Sequence, residues 1–167
     1  MVRARKPIDL GALHQASNAG LCFICEMLRG TSGFEHEVVA ETDDAVAFLD
    51  RYPTLFGRTI VAPKRHLEAV CGDFSQAEYL ALQGLVYRVA EAIRKVLSPE
   101  RVYVLSLGSR DGNAHVHWHI APLPPGLPLD QQQHHALMHE HGVIEDSNWE
   151  RRDFVERLRV VLQNEIL

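Results

Sequence analysis

A chain of 167 residues supplies one domain with its own core and too little length for two ordinary ones, so any active site lies inside one fold or between two copies of it. Apolar residues at 46% and charged residues at 23% are the composition of a soluble globular protein, and a formal charge of -5 argues against nucleic acid as a partner. No apolar run of signal-peptide or membrane-spanning length follows Arg3, Arg5 and Lys6, so a cytoplasmic protein without a membrane partner is expected.

Residues 1–18 mix charges, small residues and one proline, which predicts a weakly ordered arm ahead of a single domain over 19–167. Glu37 to Ala40 and Ala45 to Leu49 carry β-branched and aromatic residues on either side of a polar Glu41 to Asp44 cluster, the pattern of a hairpin. After a loop containing Tyr52, Pro53 and Gly57, Arg58 to Val61 reads as another short strand that Pro63 ends. Asp73 or Ser75 then caps a long helix. Its apolar positions Leu82, Leu85, Val86, Val89, Ile93, Val96 and Leu97 recur at three- and four-residue steps until Ser98 and Pro99 stop it. Val102 to Leu107 and Ala114 to Ala121 are predicted strands, paired antiparallel around a Gly108 to Asn113 turn. The stretch from Pro122 to His141 reads as a loop with a short helix. Within it, His135 and His139 stand four apart as metal ligands would, but no third ligand accompanies them and a solvated face is expected. Phe154, Val155, Leu158, Val161, Leu162 and Ile166 mark a C-terminal amphipathic helix. The fold class is therefore α+β, an antiparallel sheet of about five strands with two main helices.

Chemistry concentrates at His115, His117 and His119, which alternate with Val116, Trp118 and Ile120. In a strand, alternate side chains share a face, so three imidazoles would follow one another at roughly 7 Å intervals while the apolar residues enter the core. A neutral imidazole can attack phosphorus at pH 7 without first losing a proton, and a phosphorylated imidazole is then a good leaving group. Its neighbours can donate hydrogen bonds to the phosphate oxygens. The alternatives are the solvent face of an edge strand and a catalytic metal site. Asp111 is the only carboxylate near the strand, which weakens the metal reading. Cys22 and Cys25, as CFIC, fit a redox pair, a zinc half-site or two core residues; no βαβ unit accompanies them, which disfavours the redox pair.

The run His115-Val-His117-Trp-His119-Ile-Ala resembles the pattern that names the histidine triad family of nucleotidyl hydrolases, phosphoramidases and transferases. Ala47 to Asp50, the strand and PKRH run from Thr59 to His66, and the CFIC segment resemble the same family in its usual order, so the likeness spans about Leu21 to Pro122. The resemblance implies that His117 is the nucleophile and that His119 contacts the phosphate or assists the leaving group. It places Asp50 where family members hydrogen-bond the ribose hydroxyls, a task suited to a bidentate acceptor, although a strand-ending turn residue is equally at home there. Asn113 has two readings as well: its amide could orient the α-phosphate, or it could serve the turn after Gly112. The sequence departs from the family in its short Asp111-Gly-Asn-Ala turn and in having Pro122-Leu-Pro-Pro-Gly where many relatives carry an arginine that contacts phosphate.

Metal-binding members complete a site with the histidine ending the PK-x-H run and the first triad histidine, which implies Cys22, Cys25, His66 and His115 as ligands of a structural zinc. The expected activity is cleavage at the α-phosphate of an adenosine nucleotide through a covalent nucleotidyl-histidine. A transferase or phosphorylase, or a non-catalytic nucleotide-binding protein, is the alternative. The partner is a small nucleotide, and family members imply a homodimer.

Overall fold

Strand and helix signals resolve into one antiparallel sheet with helices on both faces in a computed structural model that describes residues 2–12, 20–108 and 113–164. The strands are β1 (Val38–Glu41), β2 (Ala45–Leu49), β3 (Thr59–Pro63), β4 (Arg101–Leu105) and β5 (Trp118–Leu123), in the order β1-β2-β3-β5-β4. All neighbours are antiparallel, with Phe48 opposite Ile60 and Ile60 opposite His119. Because side chains alternate, this register gives the sheet two different faces.

One face carries Ala45, Ala47, Leu49, Val61, Trp118 and Ile120 into the main core. Two helices cover it, α2 (Gln76–Leu97) and α4 (Asn148–Asn164). Helix α2 starts where Ser75 accepts from the Glu78 N–H while the Glu78 carboxylate accepts from the Ser75 N–H, a reciprocal cap. It ends where Ser98 turns left-handed (φ 47°) ahead of Pro99. Its buried stripe includes Leu82, Leu85, Val86, Val89 and Ile93, as the spacing predicts. Helix α4 buries Phe154, Val155, Leu158 and Leu162; Ile166 lies outside the described residues. Gly57 allows the close approach of these layers: at φ 82°, a Cβ there would come within 2.8 Å of both Leu97 and Phe154.

The opposite face carries Val46, Phe48, Ile60 and Ala62, packed against Ile24 of a short helix, α1 (Phe23–Leu28). The remainder of this face is covered by the stretch that includes helix α3 (His134–Leu137). The N-terminal residues 2–12 lie along that stretch. Lys6 exchanges backbone hydrogen bonds with Val143 (2.8 and 2.9 Å), and the Arg5 guanidinium donates to the carbonyls of His135 and Ala136. Residues 13–18 of the expected arm lie outside the described residues.

One boundary differs from the sequence expectation in a way that bears on the site. Strand β5 begins at Trp118, not at Ala114, and β4 ends at Leu105, not at Leu107; residues 109–112 of the expected turn lie outside the described residues. Competing hydrogen bonds are the reason: the Val116 N–H donates to Leu67 O (2.7 Å) and the Ser106 hydroxyl to His117 O (2.7 Å), while Pro63 offers no N–H to prolong the ladder. Only His119 of the three histidines therefore belongs to regular strand. The alternation persists nevertheless, since Val116, Trp118 and Ile120 all enter the main core.

Candidate active site and metal centre

Register places the ends of β2 and β3 beside the triad. Leu49 pairs with Thr59, so Asp50 and Arg58 face each other across the strand pair, and the Asp50 N–H donates to Arg58 O at 3.0 Å. Their side chains meet as a buried ion pair, Arg58 Nε to Asp50 Oδ2 at 3.1 Å. Asp50 Oδ1 accepts from the Tyr52 N–H at 2.9 Å, so Asp50 does fill the turn role as well as facing the pocket. Burial pushes its carboxyl up, but Arg58, then His119, the Tyr52 N–H and His139 together hold it below the ordinary aspartate value. The carboxylate is ionised at neutral pH.

His117 and His119 meet edge to face with ring centroids 4.8 Å apart, and Phe23 of α1 stands edge-on to His117 at 6.0 Å. His117 is 3% exposed. Its Nδ1 lies 2.7 Å from the His115 carbonyl, and because a carbonyl can only accept, Nδ1 carries the proton and Nε2 keeps its lone pair. Burial first, opposed by that backbone bond and by Asp50, lowers the pKa of His117, and burial with Arg58 lowers that of His119 well below 6.5. Both rings are neutral at pH 7. His119 Nδ1 is buried and has no hydrogen-bond partner among the described residues; it lies 3.9 Å from Asp50 Oδ2.

These groups line a pocket of about 420 Å³, within the range of small-molecule sites. Phe23, Phe34, His36 and Ile60 give it an apolar end, while Asp50, Arg58, His139 and Glu140 give it a charged one. Asn113 is exposed, left-handed (φ 54°) and on the pocket wall, so both the turn role and the site role have a basis. Gly108 is required behind it, since a Cβ there would meet Asn113 O at 2.7 Å.

Four further residues converge beside the pocket. Cys22, Cys25, His66 and His115 each offer one ligand atom, all within 4.8 Å of one another. Cys22 Sγ is 3.3 Å from His115 Nδ1, and Cys25 Sγ is 3.4 Å from His66 Nδ1 and 3.6 Å from His115 Nδ1. Metal–sulfur and metal–nitrogen bonds of zinc length at the tetrahedral angle give an S···N edge of about 3.6 Å, so the cluster has the size of that coordination shell. The outer rings are oriented as ligands require: His115 Nε2 meets Pro63 O at 2.9 Å and His66 Nε2 meets Glu68 Oε1 at 3.2 Å, leaving both Nδ1 atoms inward. Burial, then Cys22, pushes the Cys25 thiol up to about 11, and burial lowers His115 to about 4. A neutral imidazole is ready to ligate, whereas the Cys25 thiolate needs a cation beside it. Among the described residues, this is the only such cluster; His135 and His139 are not part of one, and His135 instead stacks on His141 with centroids 3.6 Å apart.

The sequence reading missed Arg58 as a site residue, and also Tyr52, His139 and Glu140 of the pocket wall. For Arg58 the signal was present. Opposite charges flanking one hairpin loop, at positions that alternate onto the same face, pair across the strands.

The sequence profile of the HIT domain, the domain named for the histidine triad, matches residues 32–125. Over 134 residues, 71% of this chain and 94% of the relative, the sequence is 30% identical to adenosine 5'-monophosphoramidase of Schizosaccharomyces pombe. It is also 30% identical to protein hit of Bacillus subtilis over 67% of this chain and 74% of that one. Among solved structures, a hypothetical histidine triad nucleotide-binding protein from Sulfolobus tokodaii superposes with a TM-score of 0.69 at 22% identity, covering 86% of this chain and 93% of that chain. A zinc-bound histidine triad family protein from Mycobacterium smegmatis superposes with a TM-score of 0.67 at 20% identity, covering 86% and 94%. With a five-stranded sheet of the same fold and a domain match over more than half its length, the chain belongs to the histidine triad (HIT) family.

Proposed function

We propose that this protein is a nucleotidyl hydrolase or phosphoramidase that cleaves at the α-phosphate of an adenosine nucleotide through a covalent nucleotidyl-His117 intermediate. The observation that carries the reading is the His117 Nδ1 to His115 O contact of 2.7 Å, which leaves Nε2 unprotonated and aimed away from its own backbone in a pocket large enough for a nucleotide. The phosphoramidase relative in Schizosaccharomyces pombe supports the reaction class.

In the first half-reaction the Nε2 lone pair forms the N–P bond while the bond from phosphorus to the leaving group breaks. The leaving group departs with the bonding pair and takes a proton from water. The nucleotidyl-imidazolium keeps its Nδ1 proton, and its positive charge strengthens the bond to the His115 carbonyl. Water then attacks phosphorus, releases neutral His117 and gives its proton to solvent, yielding the nucleoside monophosphate. His119, neutral, has one N–H to offer the phosphate oxygens. Asp50 accepts from the ribose hydroxyls with the lone pairs that Tyr52 and Arg58 leave unused. Asn113 orients the α-phosphate from the pocket wall.

Cys22, Cys25, His66 and His115 would hold a structural zinc, tying α1 to the segment that carries His117; four protein ligands would leave no open position for substrate. The partner chain is a second copy: β4 lies at the end of the sheet with Val104 47% exposed, an edge that a dimer would cover.

The test is to incubate the protein with adenosine phosphoramidate, diadenosine polyphosphates and nucleotide sugars, with and without inorganic phosphate, and to identify the products. AMP from the phosphoramidate without added phosphate is expected. His117→Ala should bind AMP yet lose turnover, and retention of activity within about tenfold, a barrier change of only ~1.4 kcal/mol, refutes covalent catalysis at this residue.

A further inference from the structure

Arg58 is the most connected buried cation of the pocket. It is 5% exposed. Its Nε pairs with Asp50 Oδ2 at 3.1 Å, while Nη1 donates to Thr54 Oγ1 at 3.0 Å and to Leu137 O at 3.1 Å. These partners belong to three separate pieces of chain: the end of β2, the loop before β3, and the end of α3. Leu137 opens the pocket wall that continues through Met138, His139 and Glu140, and His139 Nε2 meets Tyr52 O at 3.0 Å to close the circuit back to the Asp50 turn. Arg5 holds the same helix from outside, donating to the carbonyls of His135 (3.1 Å) and Ala136 (2.8 Å), so two guanidiniums capture three consecutive carbonyls.

We propose that Arg58 is a positioning residue that sets the ribose selectivity of the pocket, locking the Asp50 carboxylate and the Leu137–Glu140 wall into one frame. The inference rests on Asp50 as the ribose acceptor. A carboxylate with free torsion would offer its lone pairs in many directions; with Oδ1 hydrogen-bonded by the Tyr52 N–H and Oδ2 held in the ion pair with Arg58, its torsion is restricted and the remaining lone pairs face the pocket along a narrow range of directions. The planar guanidinium carries five N–H donors in a rigid fork: Nη1 hydrogen-bonds Thr54 and Leu137 while the charge sits 3.1 Å from Asp50 Oδ2, a fixed arrangement that a lysine ammonium on a flexible stem cannot reproduce. Arg5 hydrogen-bonds to the wall and not to the carboxylate, although its charge also repels that of Arg58, so the two arginines separate the contributions: Arg58 acts on carboxylate and wall together, Arg5 chiefly on the wall.

The experiment measures binding of AMP and of 2'-deoxy-AMP by calorimetry to the parent, Arg58→Lys, Arg58→Met and Arg5→Met, with the melting temperature of each. The parent should favour AMP by about tenfold or more, the value of one hydrogen bond to a charged acceptor. Both Arg58 variants should bring that ratio close to one, and Arg58→Lys tests this in a protein that keeps the charge balance should Arg58→Met fail to fold. Arg5→Met should weaken both ligands alike and preserve the ratio. If the Arg58 variants melt lower yet keep the parental ratio, the pair is only structural and the inference falls. If the parent binds AMP without preferring it to the deoxy form, Asp50 does not read ribose and the inference falls, with the nucleotide-binding reading intact. If the parent binds neither, both fall.

Discussion

Removing one cysteine of the Cys22, Cys25, His66 and His115 cluster tests whether a bound cation stabilises this fold. Without a cation the four ligand atoms, all within 4.8 Å, include a Cys25 thiol held protonated and a neutral His115 ring, joined only by weak S···N contacts. With zinc present at about one hundred times its dissociation constant, the folded state gains about 2.7 kcal/mol, which for a chain of this size raises the melting temperature by roughly 5–11 °C. Cys22→Ser should abolish that gain because it removes a ligand, while the serine hydroxyl preserves the cap on α1 that the Cys22 Sγ supplies by accepting from the Cys25 N–H at 3.4 Å. The serine therefore isolates the metal contribution. The assay is zinc content by mass spectrometry on protein prepared without chelator, thiol titration, and melting curves with and without chelator for parent and variant. The parent should carry one zinc per chain and lose several degrees on chelation, while Cys22→Ser should melt alike in both conditions. Less than about a tenth of an equivalent of zinc in the parent, with both thiols freely reactive, refutes the metal centre.

Gly57→Ala should cost about 2–4 kcal/mol in urea unfolding, the sum of a left-handed alanine and the crowding of Leu97 and Phe154 at 2.8 Å; a loss under 1 kcal/mol would show that the helices yield more easily than their packing suggests. His119, whose pKa burial and then Arg58 hold well below 6.5, is neutral in the folded state and protonated in the unfolded one as pH falls under 6.5. Its contribution to stability is thus complete above pH 6.5 and declines as pH drops toward its folded value, by up to about 1.4 kcal/mol per pH unit, and the acid limb of kcat/KM should also lie below 6.5. Denaturation midpoints that do not fall between pH 6.5 and 5 would contradict this. Sedimentation velocity at micromolar concentration should give twice the chain mass, and a monomer there removes the proposed homodimer.

How much of the site was legible depended on whether its parts are local in sequence. The triad, CFIC and PKRH are contiguous runs, and α2 was readable because its stripe, reciprocal cap and Pro99 stop agree with one another. What hydrogen bonds across the fold was not readable in the same way. The first two triad histidines lie outside regular strand because Val116 and Ser106 bond to Leu67 and to the His117 carbonyl, partners 49 and 11 positions away. The wall of Leu137 to Glu140 is held at the pocket by contacts distant in sequence, from Arg5 and Arg58 to the end of α3 and from His139 to Tyr52 O, since a four-residue helix is too short to be stable by itself.

That difference follows from the two faces of the sheet. The face under α2 and α4 is apolar on both sides of the contact, so hydrophobic periodicity alone reports it, and a substitution such as Gly57→Ala perturbs packing without touching chemistry. The other face must hold Asp50, Arg58, His117 and His119 away from water in ionised or neutral states that each depend on a neighbour: Asp50 on Arg58 and Tyr52, His117 on the His115 carbonyl. Such groups are stable when buried only if their partners come from elsewhere in the chain, since an unpaired charge there costs several kcal/mol. Four segments meet on that face for this reason: α1 and the Cys/His cluster at one end, α3 and the N-terminal residues at the other. The pocket between them is therefore only as well formed as the two polar clamps that bound it. Loosening the Cys/His end should disturb His117 through His115, and loosening the Arg58 end should disturb Asp50, two perturbations separable by whether turnover or ribose preference is lost first.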